Sequence, residues 1–248
     1  MRGFLKFLLW VLGIVAVLFL VAYFVFFRIW TIPEGDPLMA ASLEPTMSPG
    51  DVVFVWRRGT PDRGDLVRCT DPESPEKFIV GRAIAHEGET IAFNQEVVSL
   101  DGQRNPSPYG CTPATRTMKN PLSGEDEQLT CSIEDLGGKK YEALRTLQPT
   151  MPEKPPRVPP GRIYVISDNR HFHLDSRNYG PVDAATCRPI YFRLWGKEGF
   201  GDSKKRFSCL CSSAPDEGPP GWSAAVVILA AALVGRRRSQ GASPAPRS

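Results

Sequence analysis

The chain has 248 residues, with 30 Lys or Arg against 27 Asp or Glu and a formal net charge of +3. That balance is too small to argue for a nucleic-acid partner, and no basic–aromatic stripe accompanies it. The length suits one domain of ordinary size, or a larger single β domain with attachments.

A short start, residues 1–6, carries Arg2 and Lys6. It is followed by "FLLWVLGIVAVLFLVAYFVFF", 21 uncharged residues over 7–27. At about 1.5 Å per residue this crosses a hydrocarbon core of roughly 30 Å. A cleaved signal peptide has an apolar region of about 7–15 residues and ends at a small-residue site. This run ends instead in Phe26, Phe27, Arg28, Ile29 and Trp30. The expectation is an uncleaved transmembrane anchor in the lipid bilayer. Arg28 partly balances Arg2 and Lys6, but the amino-terminal excess favours an inside N-terminus with the rest of the chain outside. Cysteines at 69, 111, 131, 187, 209 and 211 suit the oxidising side. Cys209 and Cys211 are too close for usual zinc-ligand spacing. Cys111 and Cys131 flank a polar loop in pairing position, although the sequence does not fix connectivity.

Beyond the anchor the strand signals are short and crowded: 51–56, 65–69, 77–85, 90–93, 162–167 and 189–195. All are rich in Val, Ile, Phe or Tyr and bounded by Gly, Pro or Asp. They predict a mainly β core over 30–93 and 161–200, with no long amphipathic helix. Residues 94–160 read as a polar, Pro-rich insertion, a small subdomain or cap that closes with six prolines between Pro149 and Pro160. Within it, 133–147 predicts one or two helical turns. Residues 201–221 read as a linker. The segment 222–238 is a short apolar stretch ending in Arg236, Arg237 and Arg238. Its length opposes a second membrane crossing and its charge favours one; it resembles bacterial C-terminal sorting tags.

Four segments carry the chemistry: "SLEPTM" (42–47), "RGDLV" (63–67), "EKFIVGRAIAHEGETI" (76–91) and "ISDNRHFHLDSRNYGPV" (166–182). In this order, behind an anchor, they resemble the type I signal peptidases, membrane-anchored serine endopeptidases of the bacterial envelope. The resemblance implies a signal-peptidase-like β catalytic domain outside the plasma membrane. It also implies exported precursor proteins or signal peptides as partners, and acyl-enzyme chemistry without metal or cofactor. The family's nucleophile falls on Ser42, whose backbone N–H would help form the oxyanion hole. Asp175 and Arg177 are expected as a supporting ion pair, with Asp168, Asn169 and Arg170 as further structural support.

Three positions depart from the pattern that the resemblance implies. A glycine inside a strand weakens it unless something must approach closely there, and Gly81 lies where the family's general-base lysine belongs. Ala40 replaces a serine that contributes to the oxyanion hole, and His173 replaces a serine that orients the lysine. A serine hydroxyl needs an adjacent base, and Gly81 supplies none. His173, with Asp175 behind it, is the candidate relocated base; His171 and His86 are weaker ones. Lys77 shares the face of Gly81, but four residues along a strand is roughly 13 Å. The expectation is a signal peptidase I-like protein of weak or absent activity. The alternative is a non-catalytic homologue that binds signal-peptide-like segments.

Overall fold

The computed structural model describes residues 2–94, 97–105, 109–146, 156–199, 201–202 and 205–210. The tail expected to touch the membrane at 222–238 lies outside them. The apolar run forms α1 (Arg2–Phe26), of which Gly3–Phe26 is long and apolar enough to cross a membrane, with mean hydropathy 2.8. It passes directly into β1 (Phe27–Thr31), so Phe27 opens a strand rather than ending the helix.

In chain order there follow α2 (Pro37–Leu43), β2 (Val52–Trp56), β3 (Leu66–Thr70), β4 (Phe78–His86), β5 (Ile91–Asn94), β6 (Val97–Leu100) and β7 (Gln103–Arg104). Next come β8 (Tyr109–Lys119), β9 (Asp126–Leu136), β10 (Lys139–Arg145), β11 (Arg162–Ile166), α3 (Ser176–Tyr179), β12 (Val182–Asp183), β13 (Arg188–Trp195) and β14 (Ser208–Cys209). The main sheet runs β1-β2-β13-β3-β4-β11-β12, with β14 paired to β13. The start of the expected linker is therefore part of this sheet. Among the described residues there are two smaller sheets, β5-β6-β7 and β10-β9-β8.

The fold is mainly β because the strand residues alternate as a two-faced sheet requires. Leu66 and Val80 face one apolar cluster, where Met39, Leu43 and Met47 pack over them. Their neighbours Val67 and Ile79 face another, with Ala83, Val165 and Val182. A disulfide, Cys69–Cys187, ties β3 to the turn just before β13, and Cys111–Cys131 ties β8 to β9.

The expected helical turns at 133–147 are instead the β9–β10 hairpin. The local chemistry explains the correction. Gly137 and Gly138 both take positive φ, +64° and +79°, which the tightest hairpin turns demand of their two central residues. Tyr141 and Ala143 then alternate inward. The insertion also does more than cap the core. Leu144 of β10 pairs in parallel with Asn169; its N–H donates to Asp168 O (2.9 Å) and its carbonyl accepts from Arg170 N (2.7 Å).

Candidate active site

Ser42 rides in the last turn of α2. Asp36 starts this helix by accepting from Leu38 N and Met39 N, both at 3.0 Å, and Pro37 fills the first helical position. Glu44 leaves the helical region (ψ 144°) because Pro45 follows it. Met39 and Leu43, one turn apart, fasten α2 to the sheet. The Ser42 side chain is buried, 2% exposed. Its hydroxyl donates to Met39 O at 2.8 Å.

The segment 168–170 locks α2 in place from the other side. Asn169 donates its side-chain amide to Ala41 O (3.0 Å) and its backbone N–H to Ser42 O (3.3 Å). Its own Oδ1 accepts from His171 N and Phe172 N. Thr46 donates to Asp168, whose carboxylate also takes the Arg82 guanidinium at 3.1–3.2 Å. Both ions of the Arg82–Asp168 pair are buried, and Arg82 reaches the Gly64 and Leu210 carbonyls as well. Such donors matter here, because a buried pair offsets its desolvation only when its remaining groups are also bonded.

Arg170 is fully buried and anchored in the insertion. It donates to Glu134 at 2.7 Å, and Glu134 also accepts from Tyr141 (2.7 Å) and Arg145. Burial alone would raise the Glu134 carboxyl, but Arg170 and Arg145 hold it below its ordinary value. The Tyr141 hydroxyl is pushed well up by burial and by the Glu134 charge.

Asp175 caps α3, accepting from Arg177 N (2.9 Å) while Asn178 closes the capping box. It also accepts from Ser167 N (2.8 Å) and from the Arg177 guanidinium (2.7 Å). Arg177 in turn donates to Arg170 O at 2.7 Å. Burial raises the Asp175 carboxyl, but the Arg177 charge and these hydrogen bonds outweigh it and hold it down to about 2.

The candidate bases all have other partners. His173 donates Nδ1–H to Asn178 Oδ1 at 2.9 Å and lies 3.9 Å from Asp175. His171 meets Glu127 at 2.8 Å, and His86 meets Pro61 O at 3.0 Å. Lys77 is exposed in the turn before β4. Among the described residues none of them hydrogen-bonds Ser42. At Gly81 the reason for a glycine is visible in the backbone. A Cβ built there would lie 2.5 Å from Ile166 O, 2.7 Å from Ile166 C and 3.0 Å from Ser167 N. The end of β11 crosses directly over the position as it leads into Asp168.

The structure thus brings together Ser42, Asp168, Asn169, Arg170, Asp175 and Arg177 as one bonded unit. It leaves His173 at the α3 cap and Gly81 beneath β11. The roles of Glu134, Tyr141 and Arg145 were not anticipated. Their signal was the Gly-Gly pair followed by alternation in "KKYEALR". The helix under Ser42 was also missed, although Asp36-Pro37 is a helix-start signature.

Comparison with known proteins is consistent in its direction. A model of the family described as "Signal peptidase, peptidase S26" matches residues 5–190. The chain is 26% identical over 145 residues to signal peptidase I V of Bacillus subtilis, covering 57% of this chain and 73% of that protein. It is 26% identical over 165 residues to a signal peptidase I of Streptococcus pneumoniae, covering 62% and 78%. A 23% identity over 166 residues, 64% and 69%, links it to the mitochondrial ATP-independent inner membrane protease subunit 1b of Arabidopsis thaliana. With a family match over residues 5–190, from α1 through the Ser42 and Asp168–Arg170 segments, the chain belongs to the signal peptidase family, peptidase S26.

Proposed function

We propose that this protein is a signal peptidase I homologue with weak or no endopeptidase activity. It meets exported precursors or their signal peptides at a bacterial plasma membrane, with its β domain on the extracytoplasmic face. Family membership supports the substrate class, and α1 supports the membrane. The disulfides support the oxidising side.

The observation that carries the low activity is that, among the described residues, no base hydrogen-bonds Ser42. For acyl transfer the Ser42 Oγ must lose its proton as it attacks the scissile carbonyl. Its hydrogen bond goes to Met39 O, and a peptide carbonyl is not a proton acceptor of useful strength. Loss of one member of such a catalytic unit costs on the order of a millionfold in turnover. A remainder of roughly 10³–10⁴ over water can persist from binding and polarisation alone.

The test is cleavage of a synthetic precursor by the full chain in detergent micelles. The expected rate is near background and the same for wild type, Ser42→Ala and His173→Ala. Wild-type cleavage that Ser42→Ala abolishes overturns the reading, and loss in His173→Ala as well would assign the base. A second reading, binding without cleavage, is favoured by the intact bonding of α2 to Asp168 and Asn169. It requires that a photo-crosslinkable signal peptide label wild type and Ser42→Ala equally.

A further inference from the structure

Where α1 meets the sheet, three strands and a turn converge five arginines on one cleft of about 450 Å³. Arg28 comes from β1, Arg57 and Arg58 follow β2, Arg68 lies on β3 and Arg188 on β13, with Val25 of α1 in the wall. No carboxylate lines this cleft, and among the described residues none of the five arginines forms an ion pair.

Arg68 is the centre of the problem. It is 8% exposed, and its Nε is buried with no hydrogen-bond partner. Its guanidinium stacks near Phe78 (4.1 Å) and Trp30 (5.0 Å), which orients the fork without neutralising it. Arg188 sits directly opposite Arg68 in the β3–β13 register, and like charges placed opposite across strands are destabilising. Burial, then Arg28 and Arg188, hold the Arg68 pKa down to about 10. A buried, stacked, unpaired arginine facing further arginines is a built receptor for an anion, and a planar fork matches phosphate geometry.

The position in the molecule identifies the source of that anion. Arg57 donates to Phe24 O at 3.0 Å, and the Arg58 guanidinium lies 5.6 Å from the Phe26 ring. The cleft is therefore fastened to the last turn of the candidate membrane span, at the depth where lipid headgroups lie. We propose that this cleft binds the phosphate of an anionic phospholipid headgroup, clamping the β domain against the membrane surface. The site is separate from Ser42 and its bonded partners, so the inference does not depend on whether the protein cleaves precursors.

The test uses the full chain purified in dodecyl maltoside, with bound lipid read by native mass spectrometry. Phosphatidylglycerol, phosphatidylcholine and inorganic phosphate are supplied in separate arms. Wild type is expected to retain phosphatidylglycerol in clear preference to phosphatidylcholine. Each cationic side chain near an anionic surface contributes roughly a fivefold factor in affinity. Arg28→Gln/Arg58→Gln, two exposed positions, should therefore lower retention by roughly 25-fold. Arg68→Met gives an independent readout. It should leave the unfolding midpoint in neutral detergent unchanged or higher, and abolish the rise that phosphatidylglycerol gives wild type. Equal retention of both lipids, unaltered retention in the double variant, or stabilisation by inorganic phosphate matching that by lipid overturns the proposal. The last result would assign the cleft to a free anion.

Discussion

Gly81→Ala asks how much room the structure leaves at the position where the sequence resemblance leads one to expect a lysine. The added Cβ would meet Ile166 O at 2.5 Å, where an unstrained carbon–oxygen contact is about 3.3 Å. The overlap is thus roughly 0.8 Å, and it is with backbone, which has no rotamer to escape into. Retreat is also blocked, because the residues on either side of Ile166 are held, Val165 N by Ser176 and Ser167 N by Asp175. Overpacking of this kind costs about 1–3 kcal/mol. For a domain of this size that lowers the unfolding midpoint by roughly 2–4 °C per kcal/mol. Intrinsic tryptophan fluorescence of the full chain in micelles, read during heating, measures it. Gly81→Lys should be destabilised at least as much and gain no precursor cleavage, since its stem must first displace β11. A Gly81→Lys variant that melts with wild type and cleaves in a Ser42-dependent way would refute this reasoning. It would show a site that lacks only its base.

Acid should loosen the α3 cap. The Asp175 carboxyl is near 2 in the folded protein and about 3.9 when unfolded. Its contribution, roughly 2–3 kcal/mol, is therefore present above pH 4 and is lost as the pH falls through 2. Asp175→Asn should flatten the stability–pH curve in that window, and urea titrations at pH 2, 3 and 4 would reveal an unchanged slope if the reasoning fails. In the insertion, Glu134→Gln strands the fully buried Arg170, which should cost about 3–5 kcal/mol. Most of that should return in Glu134→Gln/Arg170→Met, and an additive double variant would argue against the pairing.

The strands of the main sheet were legible because each is a short apolar run between turn residues, and 51–56 and 189–195 fall almost on β2 and β13. The Asp175–Arg177 pair was legible for the same local reason, two residues apart on one short element. What local reading could not supply was anything set by distant chain. Glu134 reads as a charged residue in a helical-looking stretch, yet lies buried because Arg170, 36 positions away, needs a counter-charge. Gly81 reads as a deleted base from its neighbours in sequence. Only the path of β11 shows that its missing side chain is also occupied space. His173 reads as a base beside Asp175 from proximity in the motif, whereas its ring bonds Asn178, the residue that closes the α3 capping box.

The hydrogen bonds from Leu144 to residues 168 and 170 bear on how this fold can be altered by exchange between relatives. A segment inserted between β5 and β11 would ordinarily be transplantable, since its ends enter a finished sheet. Here the graft would have to bring a strand edge in parallel register and a carboxylate at the depth of Arg170. A chimera carrying a foreign insertion would lose the support under the Asp-Asn-Arg segment even if every residue of that segment were kept. The insertion and the loop therefore form a single heritable module, and recombination that respects it must cut outside both.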